Sequence, residues 1–205
     1  MAAATTKITL SNKEQDLIIN SDWILTKRLI IEKIINLFTT VAHTTQEFVD
    51  LNNTNLPEVI KKTKPRISKG ENYIGLPYVI LDYPAYFSKK EVLAIRTFFW
   101  WGNFISVQLH VSGNCKERIA PNLLEKFTYF QQNDYSICVS ENQWDHHFEE
   151  TNFISCKKID QSIFITTIQN KNFIKLAKKY SLNDWENLPT HIIEVQKDLI
   201  TQTME

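Results

Sequence analysis

Glycine and proline are scarce in this chain, with four and six residues among 205. So few turn-forming residues leave little room for long linkers between domains. A chain of this length can bury one sizeable core and is marginal for two. We therefore expect a flexible tail over residues 1–10 and a single domain over residues 11–205.

A net charge is also missing, because 23 Lys and Arg side chains balance 23 Asp and Glu side chains. A neutral chain has no bulk attraction for nucleic acid or an anionic membrane, so neither is an expected partner. The longest apolar run, Phe98 to Ile105, is too short to cross a bilayer. The first ten residues lack a basic segment followed by an apolar core, so no signal peptide is expected. These absences predict a soluble cytoplasmic protein.

Cysteine is rare and unpaired in the sequence. Cys115, Cys138 and Cys156 have no close neighbour of their own kind, which excludes a disulfide framework and a Cys-based zinc motif. Cys115 lies five residues after His110, but no acid is identified to orient the imidazole, so a nucleophilic pair has little support. The glycine spacings of nucleotide-binding loops are absent too. No cofactor is predicted from motifs.

What the chain does have is an aromatic run from Val92 to Ser112. Gly102-Asn103 separates two β-rich halves and predicts a hairpin over 94–111 with a two-residue loop, in which Trp101 faces Phe104. A capping-box pattern at 88–91 would instead allow a helix over 89–101. The density of β-branched and aromatic residues favours a helical turn at 88–93 followed by a strand from about Ala94.

Side chains alternate along a strand, so this hairpin predicts two unlike faces. The first face is apolar except for one arginine and should be core: Ala94, Arg96, Phe98, Trp100, Ile105, Val107, Leu109 and Val111. The second mixes aromatic and hydrogen-bonding groups: Ile95, Thr97, Phe99, Trp101, Phe104, Ser106, Gln108 and His110.

Apolar residues at helical spacing predict a long helix from about Trp23 to Val49 and a final helix over 189–202. Between them we expect further short elements: a surface loop at 64–75, strands at 78–83, 135–139 and 162–168, and helices at 121–131 and 172–180. Lysines 171, 175, 178 and 179 would form the solvated side of the last of these. The fold class is α+β, with an antiparallel or mixed sheet of about five strands centred on the 94–111 hairpin and packed by the N- and C-terminal helices.

The second hairpin face is the leading candidate for binding a small molecule or a protein partner. Thr97, Gln108 and His110 would supply hydrogen bonds, and Trp101 an apolar wall. Arg96, on the core face, needs an anionic partner such as Asp82 or Glu91. The favoured interpretation is a buried ion pair that fixes strand register; a carboxylate or phosphate receptor is the functional alternative.

Two other functions remain open. A metal-dependent enzyme could use His110 with His146, His147 and Glu149, because imidazole and carboxylate ligate divalent metals and residues three apart share a helix face. The motif lacks the two-histidine spacing of metalloproteases, and a polar turn anchored by Trp144 and Phe148 is the favoured reading. The last alternative is a structural or oligomer-forming module, in which the second face is a second core or the interface of a homodimer.

Overall fold

The computed structural model describes residues 9–52 and 61–204. Its helices are α1 (Asn12–Ile19), α2 (Ser21–Leu51), α3 (Asn114–Leu124), α4 (Phe127–Gln132), α5 (Gln161–Asn170) and α6 (Leu188–Met204), with 3-10 turns at Cys156–Lys158 and Leu182–Asp184. Its strands are β1 (Arg66–Tyr73), β2 (Leu76–Phe87), β3 (Val92–Trp100), β4 (Phe104–Ser112), β5 (Ser136–Cys138), β6 (Phe153–Ser155) and β7 (Phe173–Ser181). Residues 1–8 of the expected tail lie outside the described residues.

The strands form one antiparallel sheet in the order β1-β2-β3-β4-β7-β5-β6. The first four strands follow one another as a meander, and β7 returns from late in the chain to lie between β4 and β5. The expected α+β class and the central position of the hairpin are confirmed, and the sheet has seven strands where about five were expected. Among the described helices, none is long and apolar enough to cross a bilayer.

The N- and C-terminal helices pack on one face of this sheet, as predicted. Ser11 caps α1 through a capping box with Glu14, which satisfies backbone N–H groups that a helix start leaves without partners. In α2 the buried side chains recur at helical spacing: Ile31, Ile34, Phe38, Val41, Ala42, Thr45 and Val49. Together with buried residues of α6 and the facing strands they form the main core.

The hairpin loop has three residues, so the predicted register was wrong by one position. Asn103 N–H donates to the Trp100 carbonyl at 3.0 Å, and Gly102 between them has a φ of 71°. That left-handed conformation suits glycine and lets Trp100 pair with Phe104. Because side chains alternate, a shift of one residue exchanges the faces of one strand relative to the other.

The true faces therefore differ from the predicted ones. The face toward the helices carries Leu93, Ile95, Thr97, Phe99, Ile105, Val107, Leu109 and Val111. The opposite face carries Ala94, Arg96, Phe98, Trp100, Phe104, Ser106, Gln108 and His110. Arg96 thus lies beside Gln108 and not beside Leu109, and most of the hairpin's polar side chains share one face.

The types of two adjacent elements were predicted the wrong way round, with residues 162–168 expected to form a strand and residues 172–180 a helix. Residues 162–168 are helical within α5, where the Asp160 carboxylate accepts from Ile163 N–H at 2.9 Å and Phe164 and Ile168 are buried four residues apart. Residues 172–180 form most of β7, which pairs with β4 on one side and β5 on the other. Pairing with distant strands outweighs the helix propensity of its Lys, Leu and Ala residues.

Other boundaries also moved. The expected surface loop at 64–75 contains the edge strand β1 and its turn into β2. The Ser88 hydroxyl accepts from the N–H groups of Lys90 and Glu91, so the apparent helix cap stabilises a turn and β3 begins at Val92. The single helix expected over 121–131 is instead the end of α3, which begins at Asn114, followed by the separate helix α4. Because β3 occupies Val92–Trp100, the helix considered over 89–101 is excluded.

Candidate functional site

The sheet face opposite the helices is covered by residues 139–152, which connect β5 to β6 without forming a helix or strand. We call these residues the cover segment. Two of its backbone N–H groups, from His146 and His147, donate to the Tyr73 hydroxyl at 2.6 and 3.0 Å. Phe148 stacks on Phe153 with ring centroids 4.6 Å apart. The segment is thus held to the sheet by both polar and aromatic contacts.

Arg96 and Asp82 form a largely buried ion pair beneath this segment. They are direct partners across β2 and β3, and the guanidinium donates from Nε at 2.7 Å and from Nη2 at 2.9 Å to the two carboxylate oxygens. This fork geometry is the strongest form of the interaction. Of the two partners considered for Arg96, Asp82 is the one it contacts. Its cationic group also lies over the rings of Phe87 and Trp144.

His146 extends the ion pair into a chain of hydrogen bonds. Its Nε2 lies 3.3 Å from Arg96 Nη1, and its Nδ1 lies 3.2 Å from Gln108 Oε1. A guanidinium can only donate, so Nε2 must accept and the proton must be on Nδ1, which makes His146 neutral. Burial, together with the nearby cations Lys175 and Arg96, keeps the pKa of His146 well below its ordinary value. Gln108 continues the chain by donating to Ser106 Oγ at 2.8 Å.

His110 lies on the same face and is also neutral. Its Nε2 is 2.9 Å from Gln143 Oε1 of the cover segment, and the Trp144 ring meets it edge-on at 5.2 Å. Burial lowers the pKa of His110 to about 3, and the positive charge of Lys175 acts in the same direction. Two buried neutral histidines therefore flank the buried cations.

Lys175 is the functional candidate that the sequence interpretation missed. It is the cross-strand partner of His110 on β7, its residue is 1% exposed, and its Nζ donates to the backbone carbonyl of Asp145. Burial lowers the pKa of Lys175 to about 8. No carboxylate of residues 9–52 or 61–204 forms an ion pair with it. If residues 172–180 had been predicted as a strand, the alternation of side chains along F-I-K-L-A could have placed Lys175 on an inward face.

The structure groups only part of the predicted binding set. Arg96, Gln108 and His110 lie together under the cover segment. Thr97 lies on the opposite face, where its hydroxyl accepts from Gln196 Nε2 at 2.8 Å. Trp101 lies in the hairpin loop, 6.2 Å from the ring of Trp23. Their assignment to the same face as Gln108 and His110 was wrong, because it depended on the two-residue loop.

The predicted metal ligands have separate environments. His110 and His146 are engaged with amide and guanidinium groups, His147 Nδ1 has no hydrogen-bond partner among the described residues, and Glu149 is exposed. The helical spacing assumed for His146 and Glu149 is absent because the cover segment is irregular. Across the described ranges, no group of three His, Cys, Asp or Glu side chains is placed to hold a metal ion. Metal binding stays a prediction without a geometric basis.

A cleft of about 450 Å³ opens beside the His110–Gln143 pair. Gln143 and Trp144 form one wall, and the turn at 88–92 and the start of α3 form the other. Lys89, Lys90 and Lys116 also line it, with Glu91 and Glu117 as the opposing charges. The cleft thus reaches the outer side of the residue that bonds to His110.

Not every charge under the cover segment has an ion-pair partner, although the Asp145 carboxylate acts on Lys175 from a longer distance. Arg96 is matched by Asp82, both histidines are neutral, and Lys175 adds a positive charge whose hydrogen-bond acceptor is a backbone carbonyl. Comparison with known protein families, curated proteins and solved structures finds no match for this chain. The chemistry of this face is therefore the basis for a functional proposal.

Proposed function

We propose that this protein binds a small organic anion, carrying a carboxylate or phosphate group, at the sheet face beside Lys175. The observation that carries this proposal is the buried ammonium group of Lys175, which has a carbonyl and no carboxylate as its partner. A buried cation without a counter-ion is costly, and an anionic ligand would relieve that cost. Lysines with lowered pKa values are frequent in binding and catalytic sites.

The neighbouring cleft offers the route to this cation. Gln143 separates the cleft from His110, and Lys175 is the cross-strand partner of His110. If the Gln143 side chain turned outward, the His110 Nε2–H would lose its acceptor. It could then donate to an anionic group together with the Lys175 ammonium, which has three N–H donors and uses one of them for the Asp145 carbonyl. The rings of Trp144 and Phe173, 5.2 and 6.1 Å from the His110 ring, would supply apolar walls.

The protonation states fit recognition of an anion. A pKa of about 8 leaves Lys175 mostly protonated at pH 7, and a bound anion would raise that pKa by stabilising the charged form. His110 stays neutral at the same pH and keeps its donor. Affinity is then expected to fall as pH rises above about 8, because the ammonium group is lost.

The test is a titration of the full chain with acetate, succinate, citrate and inorganic phosphate, followed by calorimetry and thermal unfolding at matched ionic strength. Wild-type protein should bind at least one of them, and Lys175→Met should lose at least tenfold in affinity. Lys179→Met is the matched control, because Lys179 is on the same strand and face but is exposed. Equal affinity in both variants, or no binding of any of the four anions, would contradict the proposal.

A further inference from the structure

Apolar side chains are concentrated on the surface at the start of the described chain. Helix α1 has no buried residue, and the first turns of α2 are similarly open. Between Leu10 and Leu29, eight large apolar residues are 44% to 77% exposed: Leu10, Leu17, Ile18, Ile19, Trp23, Ile24, Leu25 and Leu29. We call these eight residues the N-terminal apolar surface. Scattered exposed leucines are normal, but eight such residues within twenty positions of the chain indicate an interaction site.

The summed exposed area of these residues is comparable to one side of a stable protein interface. Taking about 150–200 Å² for a fully exposed large side chain, the eight residues leave roughly 700–900 Å² in water. A standard interface buries about 800 Å² on each partner, whereas the largest apolar patch of a typical monomer is about 300–600 Å².

Aromatic residues continue the surface beyond α2. Trp23 meets Trp101 of the hairpin loop edge-on at 6.2 Å. Trp101 in turn lines a hollow of about 180 Å³ together with Ile30 and Trp185, and its lining is apolar. A partner helix on the N-terminal apolar surface would therefore find an apolar recess next to it, which large side chains could fill.

The charges along the same stretch show which partner fits. Residues 13–22 carry a net charge of −2, and residues 27–33 carry a net charge of +2, of which Lys27 is already paired with Glu71 of the same chain. Two copies of this stretch running antiparallel would place the acidic half of each against the basic half of the other. A two-fold interface has this property, since the same patch must complement itself. Helices that lie on membranes carry mostly Lys and Arg on their polar side, and this stretch has no such excess.

We propose that the N-terminal apolar surface is the interface of a homodimer, in which α1 and the start of α2 of two copies pair antiparallel about a two-fold axis. The acidic half of one copy, which contains Glu14 and Asp16, then lies along the basic half of the other, which contains Arg28 and Lys33. This inference is independent of the anion site, which lies on the other face of the sheet.

Sedimentation of the full chain over a range of concentrations tests the assembly. The expected species has twice the chain mass of 24.0 kDa, and Ile18→Glu with Ile19→Glu should raise the dimer dissociation constant at least tenfold. Ile163→Glu is the matched control, because Ile163 is 46% exposed on α5 and outside the surface. A wild-type protein that remains monomeric, or a dimer that the double variant leaves intact, would overturn the proposal.

Charge reversal separates a specific interface from damage to the fold. Glu14→Lys with Asp16→Lys makes both halves basic, and Arg28→Glu with Lys33→Glu makes both acidic. Each variant alone should be monomeric, and an equimolar mixture should form a heterodimer of wild-type size. A mixture that stays monomeric would reject the antiparallel pairing. Flotation of the wild type with phosphatidylcholine vesicles, lost in the Ile18 and Ile19 variant, would instead identify lipid as the occupant.

Discussion

One face of the sheet is covered by helices and the other by a segment without regular structure. The helix-covered face buries apolar side chains such as Val107 and Leu109 against α2 and α6. The face under the cover segment buries two neutral histidines and a lysine beside a largely buried ion pair. Both faces are largely removed from water, but the interactions that make burial favourable differ.

This difference has consequences for stability and for function. Burial of apolar area stabilises a fold by an amount that changes little with pH. A buried polar network stabilises it only while every charge and donor has its partner, and it adds sensitivity to protonation. The helix-covered face therefore sets the fold, and the polar face is where a ligand or a proton can change it.

The largest effect should come from the apolar face. Phe38 is fully buried between α2 and the sheet, so Phe38→Ala should cost about 4 kcal/mol through lost burial and a cavity. The loss is measured by urea unfolding and should be the same at pH 7 and pH 5.5. Leu51→Ala, at an exposed position of the same helix, should change stability by about 0.5 kcal/mol or less. A strongly pH-dependent loss for Phe38→Ala would erase the contrast between the faces.

The second-largest loss of stability is expected at the Arg96–Asp82 ion pair. Asp82→Asn leaves the Arg96 guanidinium buried beside a neutral amide and should cost about 3 kcal/mol. Replacing both partners with apolar residues, Asp82→Leu and Arg96→Met, should recover most of that stability, because no charge is left without a partner. Urea unfolding of the two variants provides the measurement. If the double variant is as unstable as the single one, then the packing shape of these side chains, and not charge compensation, determines the stability of this site.

The histidines predict a loss of stability in acid. Their folded-state pKa values are below the ordinary value, so the unfolded chain takes up protons first as the pH falls. For His110 the stability present above pH 6.5 should fall toward pH 3 by up to about 1.4 kcal/mol per pH unit. Burial and the charges of Lys175 and Arg96 maintain the neutral form of this imidazole, whereas its hydrogen bond to Gln143 acts in the opposite direction.

Urea unfolding at pH 7, 6 and 5 measures that slope. His110→Gln should reduce the slope of stability against pH by the contribution of about one proton. His43→Gln, at an exposed position of α2, should keep the wild-type slope. Identical slopes in all three proteins would show that His110 does not remain neutral in the folded state.

The smallest effect is at alkaline pH, where stability again rises with pH. The pKa of Lys175 is lowered to about 8 in the folded protein, so the buried ammonium costs stability until it loses its proton. Stability should therefore rise between pH 8 and 9.5 by about 1 kcal/mol per pH unit. Lys175→Met should remove that rise and Lys179→Met should not. A rise of equal size in both variants would assign it to other groups.

Much of the architecture follows from local sequence signals. The capped helix α1, the long periodic helix α2 and the final helix α6 all satisfy simple spacing rules, and the aromatic run forms the central hairpin. Local sequence signals could not show that α5 is a helix and β7 a strand. The β-branched residues of α5 follow an aspartate cap, and the lysine-rich β7 is a strand because β4 and β5 flank it.

The candidate site was less predictable, for a definite reason. Its composition depends on hairpin register, and one additional loop residue at Trp101 moved Thr97 away from Gln108 and His110. The Arg96–Asp82 pair survived this error because its two residues are on adjacent strands of the meander. Finding Lys175 required β7 to be predicted as a strand, and only its pairing with the distant strands β4 and β5 makes it one.

The position of β7 also constrains the order in which the chain can fold. During synthesis the meander β1–β4 is complete long before Phe173–Ser181 is made, and until then β4 presents an unpaired edge. Such an edge, rich in β-branched and aromatic residues, is a template for pairing with another chain. A central strand that arrives late makes the final closure of the sheet a non-local step, which slows folding. Aggregation of nascent or partly folded chains is therefore expected to begin at β4.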